Sequence, residues 1–302
     1  MDEPVVSVLI ASVNGRPMIE ECLAALEAQS APELAEVVVA DATDDETRRA
    51  LGARFPRARI LPFPRGTTIP FLRTAAFDAS RARIVAVTED HCVPDARWVA
   101  EIAAALADPD GAGATVVGGA VENGSRDRLV DWAVYFCEYA RYMAPVPDGP
   151  HTDVPGVNVA YRREVLAAHR ALLERGFWEG IVHPLLIAEG ARIVSSPRLV
   201  VSHKKRFGFG YFLDQRFHYS RYYAATRAAP WPAWKRAAAA CAMPILPPLL
   251  FARATREVAR KRRNAGPYVA SLPILTAFWI SWAVGELAGS LFGAGDSLSR
   301  IE

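Results

Sequence analysis

The chain has 302 residues, of which 51% are hydrophobic and 23% are charged, and its formal net charge is +2. This length allows one large α/β core with a smaller appendage, and the composition excludes an intrinsically disordered protein. The four cysteines are scattered without a Cys-x-x-Cys pair, which argues against a structural zinc site or a disulfide framework and favours a reducing compartment.

Charge is distributed unevenly along the chain. Residues 1–200 carry 20 Arg and 28 Asp or Glu, whereas residues 201–263 carry 14 Lys or Arg and only two acids. Such a basic, aromatic-rich tail suits an anionic membrane surface or diphosphate groups. No nucleic-acid-binding motif accompanies the charge, so we expect no nucleic-acid partner. The acidic first residues lead directly into a strand, so we expect no secretory signal and a cytoplasmic body.

Predicted strands and helices alternate through most of the chain. Apolar, β-branched runs predict strands at 5–12, 37–41, 59–62, 84–87, 114–121 and 198–203. Apolar residues at three- and four-residue spacing predict helices after Pro17 and Thr43 and at 69–80, 98–106, 129–143 and 211–227. This alternation predicts an α/β fold with a mostly parallel sheet and helices on both faces. We expect two domains, 1–228 and 229–302.

Polar side chains follow three of these strands. Ser12 ends the first strand, Asp41 ends the second, and Glu89, Asp90 and His91 follow the fourth. Because ligands of such sheets collect beyond the carboxyl ends of the strands, these clusters are expected to line one crevice. Carboxylates and an imidazole there would hold Mn²⁺ or Mg²⁺ together with a phosphate. The alternative is an acidic turn that merely caps the next helix.

Four segments resemble, in order and spacing, the nucleotide-sugar domain of family-2 glycosyltransferases: VSVLIASVN (6–14), VVVADATDD (37–45), FLRTAA (71–76) and EDHCVP (89–94). The resemblance covers about residues 5–225 and implies a GT-A fold. In that family the first-strand end and the acid after the second strand hold the nucleoside. An Arg of the following helix approaches the base or diphosphate, and an Asp-x-Asp motif binds the metal and ribose. The resemblance therefore implies donor-binding roles for Ser12, Asn14, Asp41, Arg73, Glu89 and Asp90.

The metal motif departs from the family pattern, because its last Asp is His91. The resemblance then implies the ligands Glu89, His91 and, at the end of the last predicted strand, His203. Imidazole is an acceptable Mn²⁺ ligand, but a neutral ligand offsets less of the cation's charge, so the choice between Mn²⁺ and Mg²⁺ stays open. The alternatives are a surface ion pair for Arg73, a helix cap for Asp41 and a hydrogen-bonded core residue for His203.

Two more segments resemble the family. In VPGVNVAYRR (154–163), Asn158 would reach the donor sugar, with a turn residue as the alternative. Glu179 lies where the family's catalytic acid lies, and inverting transfer needs one carboxylate to take the acceptor's proton. Phe177 and Trp178 would partly desolvate that carboxylate and make it a stronger base. An ordinary first-turn Glu is the alternative.

The helix predicted at 211–227 looks like a loose version of a diphosphate-binding region of related synthases. Arg216 and Arg221 would hold the leaving diphosphate there. A solvated or lipid-facing basic surface would have the same sequence.

The tail contains two apolar runs, 237–252 and 267–293, on either side of the basic segment 253–263. Two full spans would put this basic segment outside, against the positive-inside tendency. We therefore expect a hairpin or re-entrant pair on the cytoplasmic leaflet, with the basic segment at the headgroups. A single span at 267–293, or a soluble hairpin packed on the body or on a second copy, are the alternatives. Glu286 would then mark a buried pair or an oligomer contact.

Together these patterns predict a metal-dependent, inverting glycosyltransferase at the cytoplasmic face of the cell membrane, acting in the cell envelope. Its donor would be a UDP- or GDP-sugar, and its acceptor a lipid-linked or membrane-proximal hydroxyl. Membrane lipid would contact the tail, through which homo-oligomers would also form. The competing functions are a nucleotidyltransferase and a non-catalytic, membrane-associated scaffold. A nucleotidyltransferase would need a Gly-rich, Arg- or Lys-bearing loop after the first strand, where this chain has only Gly15 and Arg16.

Overall fold

A computed structural model describes residues 3–107, 113–176 and 178–301. The chain forms two compact units: residues 1–124 with 142–205, and residues 125–141 with 206–302. The helices at 129–139 and 209–228 therefore group with the C-terminal helices. The boundary predicted after residue 228, between a catalytic domain and a C-terminal segment, stays a prediction.

The first unit contains one mixed sheet. Within the described residues its nine strands are β1 (Val6–Ser12), β2 (Ala35–Asp41), β3 (Ala58–Pro62), β4 (Ile84–Glu89), β5 (Cys92–Pro94), β6 (Val116–Asn123), β7 (Gly149–Pro150), β8 (Val159–Arg162) and β9 (Ile193–His203). Their order is β3-β2-β1-β4-β8-β6-β9-β5, and β7 pairs with β9. The strands β3, β2, β1 and β4 are parallel, but β8 runs antiparallel to both β4 and β6.

The register of the parallel strands brings the predicted polar residues to one edge. All seven residues of β1 are buried, as a β-branched central strand with helices on both faces requires. Ser12 pairs with Asp41 across β1 and β2, and Ala11 pairs with Glu89 across β1 and β4. The predicted crevice at the carboxyl ends of these strands is therefore present.

β9 begins at Ile193, five residues before the predicted start, and Pro197 explains the difference. The ladder with β6 changes register between Gly119, opposite Ser196, and Ala120, opposite Val200. The residues between bulge out, so a proline without an N–H costs no ladder bond. A Cβ on Gly119 would lie 2.0 Å from the carbonyl oxygen of Leu199, so the absence of a side chain at Gly119 lets the two backbones approach closely.

Helices connect the strands of the first unit. They are α1 (Met18–Glu27), α2 (Asp45–Arg54), α3 (Ile69–Ala79), α4 (Trp98–Ala105), α6 (Arg163–Ala167) and α7 (Trp178–Ala188); α5 belongs to the second unit. Asp44 caps α2, since its carboxylate accepts a 2.8 Å hydrogen bond from the Thr47 N–H. Asp41 therefore does not cap this helix.

The second unit is helical in the part that the structure describes. It contains α5 (Leu129–Tyr139), α8 (Phe209–Ala228), α9 (Ala233–Ala242), α10 (Leu246–Lys261) and α11 (Ala265–Phe292). Gly285 and Gly289 let α11 approach α8 closely, because a Cβ on either would lie within 2.3 Å of an α8 backbone or side-chain oxygen. The basic residues predicted to lie between two apolar runs mostly belong to α10, which continues to Lys261.

Glu286 is a buried acid in the apolar helix α11. Its carboxylate forms an ion pair with Arg227 and accepts a 3.3 Å hydrogen bond from the Trp282 indole N–H. Of the two roles expected for Glu286, the ion pair is present, and the oligomer contact stays a prediction.

Candidate active site

Three potential metal ligands meet at the end of β4 and β9. His91 Nε2 lies 3.1 Å from Glu89 Oε2 and 2.9 Å from His203 Nε2. All three ligand atoms lie within 4.8 Å of one another. Neighbouring ligands of an octahedral ion at 2.0–2.1 Å are separated by about 3.0 Å, so this spacing fits a Mn²⁺- or Mg²⁺-sized ion.

Glu89 ends β4, and the turn of Asp90 and His91 leads into β5, so the chain folds back and brings the His91 ring against the Glu89 carboxylate. His203 reaches them because β9 pairs antiparallel with β5, where His203 lies opposite Cys92. The Lys204 N–H also donates to the His91 carbonyl at 2.9 Å, which stabilises the pairing of the turn before β5 with the end of β9. The predicted metal ligands are therefore placed in one cluster by the sheet itself.

Asp90 is buried behind this cluster, and its carboxylate accepts four hydrogen bonds. Val13 N–H and Asn14 N–H donate to Oδ2 at 3.0 Å each, and Asn14 Nδ2 donates to Oδ1 at 2.9 Å. His91 Nδ1 lies 2.8 Å from the same Oδ1. A carboxylate on Nδ1 orients the imidazole and leaves Nε2 toward the ligand cluster, an arrangement typical of metal-binding histidines.

The electrostatics of the cluster favour a cation. Burial by itself lowers the pKa of His91, but the hydrogen bonds to Asp90 and Glu89 outweigh it and raise the pKa of His91 to about 9. Burial likewise raises the pKa of Glu89, but His91 and the Arg73 guanidinium outweigh it and hold the pKa well below its usual range. Hydrogen bonds from His91 and Asn14 likewise outweigh burial and lower the pKa of Asp90, so Glu89 and Asp90 both stay ionised at neutral pH and supply the negative charge that a metal ion needs.

Arg73 on α3 joins the metal cluster to Glu179. Its side chain is 1% exposed, with Nη2 3.1 Å from Glu89 Oε1 and Nη1 3.4 Å from Glu179 Oε2. Arg73 is therefore not a surface ion pair. It is a buried guanidinium between two carboxylates, and it places Glu179 beside the candidate metal site.

Glu179 lies in the first turn of α7, with its side chain one-quarter exposed. Trp178 before it is buried and packs edge-on against Phe77 and Tyr161. Phe177, the other residue expected to desolvate Glu179, lies outside the described residues. The carboxylate is thus anchored by a buried helix start and still reaches solvent.

The far side of the crevice holds Ser12 and Asp41, both fully buried. The Asp41 carboxylate accepts from Thr43 Oγ1 at 2.8 Å and pairs with Arg48 at 3.0 Å. The Ser12 hydroxyl has no hydrogen-bond partner among the described residues. A buried hydroxyl of this kind can bond to a ligand that enters the crevice.

The family model for glycosyl transferase family 2 matches residues 7–170, more than half of the chain. The chain belongs to glycosyl transferase family 2. The matched part includes the Ser12, Asp41, Arg73 and Glu89–His91 positions, whereas Glu179 and His203 follow it in the chain. The protein is a glycosyltransferase, as the four resembling segments implied.

Solved glycosyltransferases share the fold of this family-2 enzyme. The mannosyltransferase PcManGT from Pyrobaculum calidifontis, in complex with GDP-Man and Mn²⁺, is 20% identical with a TM-score of 0.58, over 95% of this chain and 88% of that one. GalNAc-T7 with UDP, GalNAc and Mn²⁺ is 13% identical with a TM-score of 0.50, over 68% and 45%. This chain thus spans less than half of GalNAc-T7. A search of curated proteins gave no match. The GT-A fold predicted from the sequence is confirmed.

Asn158 of this glycosyltransferase is buried in the core. Its amide oxygen accepts from the Trp98 indole N–H at 2.8 Å, and its Nδ2 donates to the carbonyls of Ala120 and Leu199 at 2.8 and 3.1 Å. These bonds tie β8 to β6 and β9. The structure therefore gives Asn158 a structural role, and the donor-sugar contact implied by the family stays a prediction.

Arg216 and Arg221 lie on α8 in the second unit. Arg216 is buried, pairs with Glu138 at 2.9 Å and packs over the rings of Phe212 and Tyr219. Arg221 donates to the Gly293 carbonyl at 2.9 Å, just past the end of α11. Both guanidinium groups thus stabilise the helical unit, and their predicted contact with the leaving diphosphate stays untested.

Sequence reasoning missed two features of the site. Asp90 contacts His91 and orients its ring, and because both residues lie in a turn, no strand periodicity in the sequence indicates this contact. Gly156 was missed altogether: its Cα lies directly against the Glu179 carboxylate. A glycine in a loop is common, and no local pattern reveals which side chain lies above it.

Proposed function

We propose that this family-2 glycosyltransferase is metal-dependent and inverting, and that it transfers a sugar from a nucleotide-diphosphate donor to an acceptor hydroxyl at the cytoplasmic membrane face. The observation that carries the proposal is one unbroken series of contacts. It runs from the Glu89, His91 and His203 cluster, through Arg73, to Glu179. A site for a cation and a carboxylate able to accept a proton are thereby held side by side.

Glu89, His91 and His203 would hold a Mn²⁺ or Mg²⁺ ion, which when bound takes up negative charge on the leaving diphosphate. Glu179 would take the proton of the acceptor hydroxyl as its oxygen forms a bond to the anomeric carbon. The bond between that carbon and the diphosphate oxygen breaks, and a nucleoside diphosphate leaves. Because one displacement occurs at the carbon, its configuration inverts.

The donor would bind along the carboxyl edge of the sheet. Ser12 and Asp41 at one end suit the nucleoside, since Ser12 offers a hydroxyl with no partner among the described residues and Asp41 offers a hydrogen-bond acceptor. Arg73 at the other end lies where a diphosphate would meet the metal cluster. PcManGT and GalNAc-T7, which share the fold, were solved with GDP-Man and with UDP and GalNAc respectively, and both with Mn²⁺. We therefore propose a GDP- or UDP-sugar donor and Mn²⁺ before Mg²⁺.

Membrane association is supported by the second unit. Two segments of the described chain, Ala233–Lys261 and Ala265–Phe292, are long and apolar enough to cross a membrane, and few residues of the first are buried. Three exposed arginines of α10 lie at three- and four-residue spacing and share one face: Arg253, Arg256 and Arg260. A helix crossing the bilayer would put this face in hydrocarbon, so we propose an in-plane hairpin with the arginines at anionic headgroups.

Vesicle co-sedimentation tests the membrane part of the proposal. We expect binding to vesicles that contain one-third phosphatidylglycerol, weaker binding at high salt, and little binding to pure phosphatidylcholine. A protein that stays in the supernatant with both vesicles, and that runs as a dimer in solution, would instead have its apolar helices covered by a second copy.

A donor screen tests the reaction. GDP-mannose, UDP-glucose, UDP-GlcNAc and UDP-GalNAc are each added with Mn²⁺, with Mg²⁺ and with EDTA, and thermal unfolding is recorded. A donor at 100 times its Kd should stabilise the protein by about 2.7 kcal/mol, and only with metal. Slow hydrolysis should then release a nucleoside diphosphate. Release of pyrophosphate would indicate a nucleotidyltransferase, and neither product would indicate a scaffold.

Glu179→Gln tests the base. The variant should keep the metal-dependent thermal shift and lose turnover, because an amide cannot take a proton from the acceptor. Glu174→Gln is the matched control, since Glu174 is an exposed surface residue paired with Arg170. Turnover that survives in Glu179→Gln would place the base elsewhere.

A further inference from the structure

The Glu179 carboxylate rests against the backbone of Gly156. A Cβ built on this glycine would lie 2.5 Å from Glu179 Cδ, 2.5 Å from Oε2 and 2.7 Å from Oε1. All three atoms of the carboxylate would therefore collide with a single added methyl group. The φ angle of Gly156 is outside the left-handed region, so the glycine is needed for space and not for backbone geometry.

The loop that carries Gly156 cannot easily move aside. Val154 and Val157, on either side of it, are 1% and 5% exposed. Asn158 follows, with its amide bonded to two strands and to the Trp98 indole, and its own N–H donates to the Pro155 carbonyl at 3.1 Å. A methyl group on Gly156 must therefore be accommodated by the Glu179 side chain, which is the more exposed partner.

Arg73 also contacts this carboxylate, with its Nη1 3.4 Å from Oε2. The start of α7 is also anchored, because the Trp178 indole N–H donates to the Leu173 carbonyl at 3.0 Å. The carboxylate thus contacts both the Gly156 backbone and the Arg73 guanidinium. Only the side chain's own torsions are free to change its place.

We propose that Gly156 is a positioning residue that sets the place of the Glu179 carboxylate beside Arg73, and with it the geometry of proton transfer. The proposal rests on the proposed role of Glu179 as the base. Any residue larger than glycine would push the carboxylate away from its present position, because the added Cβ would overlap all three carboxylate atoms. The metal cluster and the nucleoside residues are expected to be less affected, because the three atoms nearest to an added Cβ all belong to Glu179.

The test is Gly156→Ala, measured with whichever of the four donors of the screen is hydrolysed fastest. A displacement of about 1 Å at a reacting group can cost on the order of 10²-fold in rate, so we expect kcat to fall by about that factor. The donor's Kd, from the thermal shift, should change less than about twofold because the nucleoside and metal contacts remain. Gly52→Ala on α2 is the control, since its added Cβ meets open space.

A second substitution separates positioning from a fault in folding. Glu179→Asp shortens the side chain by one methylene, about 1.5 Å, which leaves room for the added methyl group. In the Glu179→Asp background, Gly156→Ala should therefore change kcat by less than about threefold, a strong departure from additivity. If Gly156→Ala alone does not fold, the double variant should fold.

A crystal structure of Gly156→Ala tests, independently of turnover, whether the Glu179 carboxylate is displaced. We expect Arg73 Nη1 and Glu179 Oε2 to separate by at least about 1 Å from their present contact. An unchanged contact, or a kcat loss that persists undiminished in the Glu179→Asp background, would overturn the proposal. Failure of the proposed function is recognised separately, because Glu179→Gln would then retain turnover whatever Gly156→Ala does.

Discussion

Asp90→Asn is the most informative single substitution, because Asp90 accepts four hydrogen bonds and touches His91. The asparagine oxygen can replace only one of the two carboxylate oxygens, and it will face the two backbone N–H groups of Val13 and Asn14, which cannot change into acceptors. The new NH₂ group then faces Asn14 Nδ2 and His91 Nδ1. The Asn14 amide can turn over to present its oxygen.

His91 can accept this new hydrogen bond at Nδ1 only by carrying its proton on Nε2. That nitrogen is the one that faces Glu89 and His203, and a protonated nitrogen cannot ligate a metal ion. Loss of such a supporting carboxylate typically lowers metal affinity 10- to 100-fold, or about 1.4 to 2.8 kcal/mol. We also expect the free energy of unfolding to fall by about 1.5–3 kcal/mol, because a charge-assisted hydrogen bond is lost.

Calorimetric titration with Mn²⁺, without any donor, measures the metal affinity directly. Asp44→Asn is the matched control: it makes the same substitution at the cap of α2, where Asn and Asp are equally good caps. Mn²⁺ affinity within twofold of the unaltered protein in Asp90→Asn would refute the tautomer argument. No Mn²⁺ binding by the unaltered protein would refute the metal site itself.

Three further predictions concern stability. Gly285→Ala should lower the urea-unfolding free energy of the second unit by about 1–3 kcal/mol, because the added Cβ would lie 2.0 Å from Ser220 Oγ. Gly266→Ala on the same helix is the control: its Cβ meets open space, so the unfolding free energy should change by less than about 1 kcal/mol. Equal effects of the two substitutions would contradict the close packing of α11 on α8. Arg227→Met should lower the free energy of unfolding by about 3 kcal/mol, because the buried Glu286 carboxylate loses its ion-pair partner. Glu286→Gln should lower it by only about 1 kcal/mol, because Arg227 is 37% exposed and can reach water. Chemical denaturation that gives the reverse order of the two effects would disprove this account of the pair. Burial lowers the pKa of His183 from 6.5 to about 4, so the unfolded chain takes up the proton first as pH falls. The stability contributed by neutral His183 should be complete above pH 6.5 and should fall by about 3 kcal/mol toward pH 4. Urea titrations at both ends of this range should show a smaller change of unfolding free energy with pH in His183→Gln than in the unaltered protein. The same pH dependence in both proteins would show that His183 is not the titrating group.

Local sequence patterns were sufficient for the strands and for the residues at their ends. β1, β2 and β4 are apolar runs that a polar residue stops, and parallel neighbours bring such ends to one edge. The grouping of Ser12 with Asp41 therefore followed from the predicted parallel order. The grouping of His203 with His91 came from the family resemblance, because antiparallel pairing of β5 with β9 has no local trace in the sequence.

Asn158 shows where pattern and resemblance reach their limit. A loop asparagine has the same sequence neighbours whether its amide faces a sugar or three groups of the core, and here it faces the core. The length of β9 is hidden from the sequence for a related reason. A proline normally interrupts a strand, and here Gly119 on β6 makes room for the bulge that accommodates Pro197.

The sequence by itself determined which side chains could do the chemistry, since ionisable residues at the ends of buried strands are costly without a partner. The tertiary structure alone decided how they are paired. Arg73 and Glu179 are 106 residues apart, and Gly156 comes from a third segment, so no periodicity or spacing connects them. Their contact exists because β8 runs antiparallel beside β4, and the loop before β8 comes against the first turn of α7. Contacts between segments so far apart in the chain form only in the folded structure, and no local sequence pattern indicates them.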